Sequence, residues 1–231
     1  KELIPHGVAE DDKEAAYKAI RATVDIEMMT STYVHHLKAL IDEGKISEEL
    51  IDEAVYRILQ LKNKLGLFEN PYRGADEKLE KEVVLSEGHR KFARKLAAKS
   101  SVLLKNNGVL PLNPAQKVAL IGPFAENNDL LGPWSWKGDR NDVVTVAEGL
   151  KSKIAGDNLL VAKGCDIERF AEEDWKEAEQ AILQTDVVVL ALGERSEMSG
   201  EAGSRADIRL PQAQLDFIKK VKEHNKPTVA V

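Results

Sequence analysis

The chain has 231 residues, 43% of them hydrophobic and 31% charged, with a net charge of −6. This is the make-up of an ordinary soluble globular protein of one large or two small domains, and it gives nucleic acid no basic field to bind. The single cysteine, Cys165, excludes an internal disulfide framework and a cysteine-based zinc site, and no run nears the roughly eighteen apolar residues of a membrane span.

In chain order, AEDDKEAAYKAIRA (9–22) has acidic residues at its start and Ala16 and Ile20 on one face, which predicts an amphipathic helix with a complemented dipole. TVDIEMM (23–29) alternates and reads as a short strand, with Asp25 and Glu27 on one face as salt-bridge formers and Met28 and Met29 in the core. Helices follow at 32–43 and 48–65, the second with Ser47 at its N-cap and Gly66 at C′. On it Leu50, Ile51, Ala54, Ile58, Leu61 and Leu65 form one apolar stripe. His35 and His36 are adjacent, so on a helix they point about 100° apart and cannot chelate one metal together; they read as surface or partly packed residues. The charged, weakly periodic span from Asn70 to Glu87 reads as a linker, with a helix at 88–100.

The second half alternates regularly. Strands are predicted at 117–122, 158–164, 186–193 and in PTVAV at the end. Helices are predicted at 146–154, where Thr145 and Glu148 make a capping box, and at 172–184 and 211–224. Short apolar runs separated by amphipathic helices argue a parallel α/β sheet buried on both faces. The start without methionine and the finish inside an apolar run suggest a piece of a longer protein, truncated at both ends.

Ligands of such sheets sit at the carboxyl ends of the strands. Two loops qualify. The first contains GPWSWKGD (132–139); the second is the charged stretch after VVVLALG, with Glu194, Glu197 and Glu201 in eight residues. Neither has phosphate-cradling glycine spacing, so nucleotide binding has little support. The glutamate loop is either a solvated surface or a functional loop, and a glutamate there could serve as a general acid. Trp134 and Trp136 are either a satellite packing cluster or a flat platform for a sugar ring. Cys165 has no histidine near it in sequence and reads as inert.

Four segments in order, HGVAEDDKEAAYKAIRATVDIEMMTSTY, ISEELIDEAVYRILQLKNKLGLFENPY, SSVLLKNNGVLPL and SGEAGSRADIRLPQAQ, together resemble glycoside hydrolase family 3, the β-glucosidase family. The first two resemble the last part and exit of its (β/α)8-like barrel. The third resembles the entry to its second domain, an α/β sandwich, and the fourth that domain's acid/base loop. The resemblance divides the chain into a barrel end (1–69), a linker and connecting helix (70–100) and an incomplete α/β sandwich (101–231). It implies a retaining mechanism with two carboxylates acting on terminal, non-reducing β-D-glucosyl residues of small β-glucosides or oligosaccharides. Glu201 matches the acid/base, with Glu197 and Glu194 as fallbacks, and Trp136 and Trp134 match the aromatics beyond the cleaved bond. The loop would be long and polar because it crosses from the second domain to the barrel mouth.

The family's Ser-Asp-Trp nucleophile motif is absent, so it should lie upstream of residue 1 and the isolated chain should be inactive. The barrel-end strand departs from the family pattern at Ala22-Thr23-Val24-Asp25. No metal, organic cofactor, nucleic-acid or membrane partner is implied, and the compartment, cytoplasmic or periplasmic/secreted, stays open. Residues 1–69 should expose apolar faces and be mobile or packed on another copy, making a homo-oligomer. The rival reading is a non-catalytic sugar-binding or dimer-forming α/β module.

Overall fold

The computed structural model describes residues 2–74, 76–136, 138–201 and 203–231. Lys1, Ala75, Lys137 and Ala202, the last two inside the tryptophan and glutamate loops, lie outside the described residues. The chain forms two compact units, one ending at Ser101 and the other starting at Val102.

The first unit is helical: α1 (Asp12–Arg21), α2 (Thr32–Asp42), α3 (Glu48–Lys64), α4 (Glu77–Val83) and α5 (Glu87–Ser100). Helix α1 starts where the Asp11 carboxylate accepts the Glu14 N–H (2.8 Å), and Lys18 and Arg21 lie at its negative end. Its Ala16 and Ile20 pack with Leu40 of α2, Ile46 and Ala54 of α3 to make the unit's core. Ser47 stands at the N-cap of α3 with extended backbone, although its hydroxyl makes no capping bond. The span read as a linker carries α4, started by Asp76, whose carboxylate accepts the Lys78 and Leu79 N–H groups.

Two expectations fail in this unit. Residues 23–29 form no strand: Thr23 and Met29 have φ of 61° and 63°, outside the β region. Among the described residues of the unit no strand offers a ladder, so the segment's polar groups are satisfied differently. Asp25 takes a bidentate ion pair from Arg57 (2.8 and 2.8 Å), and Glu27 accepts the N–H groups of Thr32 and Tyr33, capping α2 in place of Ser31. Met28 and Met29 are not core residues; they are 83% and 93% exposed, because an irregular bend turns both outward.

The second unit is a parallel sheet of β1 (Val118–Ile121), β2 (Leu159–Ala162), β3 (Val187–Leu190) and β4 (Thr228–Ala230), ordered β2-β1-β3-β4. Helices α6 (Val146–Lys151), α7 (Glu172–Leu183) and α8 (Gln212–Glu223) connect them. The period of two sorts each apolar run onto both faces. Ala119, Ile121, Val188 and Leu190 pack with Trp175, Ile182, Phe217 and Val221 of α7 and α8. Val118, Leu120, Val187 and Val189 pack on the other side with Phe124, Ala147 and Ile154. Burying each large aliphatic side chain contributes about 1.5–3 kcal/mol, which is why continuous Val/Leu/Ile runs make central strands here.

With this order the chain leaves β1 toward one edge and later returns to pair β3 on β1's other side. The loops after β1 and β3 therefore diverge at adjacent strand ends, the place where parallel sheets hold ligands.

Candidate active site at the carboxyl ends of β1 and β3

The two strand ends meet closely. The Phe124 N–H donates to the Ala191 carbonyl (3.2 Å), and Gly122 has φ +133° with no room for a Cβ, which would stand 2.2 Å from that carbonyl oxygen. Beyond this junction the β1 loop runs through Asp129 and the tryptophans, and the β3 loop through the three glutamates.

The glutamate loop is not structureless. At its root the buried Gln214 of α8 accepts the Gly193 N–H (3.0 Å) and donates to the carbonyls of Gly193 (2.7 Å) and Ile167 (3.1 Å). Glu194 pairs with Arg205 (2.9 Å), joining the two flanks of the Glu201 segment. Arg195 pairs with Glu168 (2.6 Å) and with Glu197 (3.5 Å), and a 3-10 turn occupies Ser196–Met198. Glu201 itself is exposed, on a turn closed by a bridge between Gly200 and Gly203. A Cβ on Gly200 would lie 2.7 Å from the Pro133 Cβ, so the glutamate loop packs on the tryptophan loop one residue before Glu201 and one before Trp134.

Trp134 and Trp136 are 70% and 92% exposed. They are not a packing cluster; both indoles are offered to solvent at the loop tip. Two cavities of about 370 and 230 Å³ lie beside these loops and share Asp129, Gly132, Pro133 and Ser196 in their walls. Glu194 lines the larger and Glu197 the smaller.

Asp129 is the residue that sequence reasoning missed. It is 8% exposed, its Oδ2 accepts the Ser196 N–H (2.9 Å), and its Oδ1 pairs with Arg140 (3.0 Å). Burial pushes its carboxyl upward, but the bonds from Ser196 and the charges of Arg140 and Arg195 outweigh this and hold it below the usual carboxylate range. Its partners lie 67 and 11 residues away, and no local spacing signals such a junction. Cys165 is fully buried in the core with Ile121, Trp175 and Phe217, and burial raises its thiol to about 12. Among the described residues no group of three potential metal ligands occurs, and no helix is long and apolar enough to cross a membrane.

Two family models match the chain: residues 2–61 match the glycosyl hydrolase family 3 N terminal domain and residues 101–231 the C-terminal domain. Over its full length the chain is 38% identical to a protein named periplasmic beta-glucosidase from Salmonella typhimurium, of which it covers 34%. It is 34% identical, over 98% of its length, to a beta-xylosidase from Formosa agariphila, covering 33% of that protein. Among solved structures, beta-glucosidase from Listeria innocua in complex with glucose superposes on 99% of the chain with a TM-score of 0.89 and 46% identity; the match covers 31% of that enzyme. A mutant of the same enzyme in complex with laminaribiose gives a TM-score of 0.90. The chain thus spans about a third of these proteins' length.

Proposed function

The chain belongs to glycosyl hydrolase family 3, and on that premise we propose that it is the section of a retaining β-glucosidase that supplies the acid/base carboxylate, Glu201. The observation that carries the choice of Glu201 is the state of its two neighbours: Glu194 is held by Arg205 and Glu197 by Arg195. A general acid must bring a proton to the leaving oxygen and be free to reach it. A carboxylate engaged by a guanidinium is tethered by it and is not free to reach. Glu201 sits instead on an exposed, glycine-flanked turn.

In this reading Glu201 protonates the glycosidic oxygen as an upstream aspartate attacks the anomeric carbon and forms the glycosyl-enzyme. It then takes a proton from the incoming water as that water releases the sugar. The aspartate is supplied by the barrel, whose last part is residues 1–69, and the 231 residues alone are inactive. Trp136 and Trp134 stack on the group leaving the bond, which suits indoles exposed at a loop tip. The substrates are terminal β-D-glucosyl residues of small glucosides; the higher identity to a β-glucosidase than to a β-xylosidase favours glucose over xylose.

The test is the longer enzyme carrying these residues, wild type beside Glu201→Ala, on aryl β-glucosides and aryl β-xylosides with and without azide. Loss of roughly 10²–10⁴-fold in rate on poor leaving groups, with azide trapping a glycosyl azide, is expected. A variant that handles every leaving group as the wild type does would make Glu201 a bystander. A change in KM alone would point to a sugar-binding module.

A further inference from the structure

We propose that Asp129 is a positioning residue for Glu201: its buried carboxylate pins the turn at Ser196 and the arginine after the tryptophans into one rigid junction that sets where Glu201 stands. This rests on the assignment of Glu201 as the acid/base.

Both oxygens of Asp129 are used. Oδ2 holds the Ser196 N–H at 2.9 Å, and Oδ1 holds Arg140 at 3.0 Å. Arg140 closes the triangle by donating to the Ser196 hydroxyl at 3.2 Å. Asp129 is itself fixed, because its N–H donates to the Asn127 side chain at 2.8 Å. From Ser196 to Glu201 the path is short and has little slack: the 3-10 turn over Ser196–Met198, then Ser199, then Gly200, whose backbone is seated on Pro133. Pro133 belongs to the same loop as Asp129. The acid/base loop is therefore held against the tryptophan loop at two points, one polar and one by close packing. Truncating Asp129 leaves the Ser196 N–H and Arg140 without their shared acceptor, and the turn is free to shift. A displacement of about 1 Å at a reacting group can cost on the order of 10²-fold.

An acid that is misplaced matters only when the leaving group needs a proton. In the longer enzyme, kcat/KM would be measured along a series from 2,4-dinitrophenyl to alkyl β-glucosides for wild type, Asp129→Ala, Arg140→Met and Glu201→Ala. For Asp129→Ala we expect a loss of about 10–100-fold on the alkyl glucoside and under about threefold on the dinitrophenyl glucoside. Arg140 is half exposed, so Arg140→Met stays readable even if Asp129→Ala does not fold; it should move the same way by roughly 3–10-fold. If Glu201→Ala shows the leaving-group dependence and the Asp129 and Arg140 variants lose activity equally on all substrates, or lose none, the junction is merely structural and the inference is overturned. If Glu201→Ala itself shows no such dependence, the acid/base assignment fails and this proposal with it.

Discussion

Asp129 and Asp25 illustrate one rule: a carboxylate that leaves water keeps its charge only where cations and N–H groups replace the lost hydration. For Asp25 the bidentate bond from Arg57 is the leading cause of a lowered value; for Asp129 the Ser196 bonds and arginine charges overcome burial. A folded-state value below the unfolded one means that the stabilisation is complete above the unfolded value, about 4, and is lost as pH falls through the folded value. The melting temperature of the chain should therefore be flat from about pH 7 to 5 and fall below about pH 4. Asp129→Asn should start lower and fall less steeply with acid; a parallel curve would mean that Asp129 contributes nothing through its charge. Cys165 gives a simpler expectation. With its thiol buried and raised to about 12, it should ignore a disulfide reagent at pH 8 until denaturant is added. Rapid labelling of the native chain would contradict the buried position. The burial of Cys165 was not legible from its neighbours in sequence: Lys163, two residues away, pulls the thiol down, and it is burial that outweighs this and raises it. Nor was Asp129, since its role exists only once residues distant in sequence are brought together.

At the scale of elements, legibility followed how local the signal was. The capping box was readable because it is closed within four residues: Thr145 Oγ1 accepts the Glu148 N–H (3.2 Å), and Glu148 accepts the Thr145 N–H (2.8 Å). Parallel strands were readable because β1 and β3 are buried on both faces and must be apolar throughout. The segment 23–29 was misread because alternation describes a strand only if a partner strand exists to receive its backbone groups. Ser47 has the right residue type and position but lacks the bond, so residue type alone overstated that cap. These differences give a comparison in urea. Thr145→Ala should cost about 1 kcal/mol, Ser47→Ala much less. Gly122→Ala should cost at least about 2 kcal/mol, because φ +133° is unfavourable for alanine and the added Cβ meets the Ala191 carbonyl. Equal midpoints for the Thr145 and Ser47 variants would show that the capping geometry is not what stabilises α6.

For the molecule as a whole, the two units bury their apolar residues unequally. The sheet unit places its large aliphatic strand residues between two layers of helix or loop. The helical unit has a core of small extent, and the C-terminal end of the apolar stripe on α3 is open: Leu61, Leu65 at the C-cap and, just beyond the helix, Phe68 are exposed at spacings of four and three, with Val34 and Tyr56 exposed on the same unit. Single exposed leucines are ordinary, but an apolar row along one helix face is unfavourable in water. The pattern was legible as amphipathic periodicity; what covers it was not, since periodicity names a face and not its partner. The 231-residue chain on its own should therefore associate as its concentration rises, or leave α3 poorly protected. Sedimentation velocity should give a weight-average mass that climbs above 25.6 kDa, and Leu61→Lys with Leu65→Glu should return it to that value. A mass fixed at the monomer over the whole range, together with slow amide exchange throughout α3, would mean that the row is stable in water as it stands. The association would then have no apolar driving force to explain.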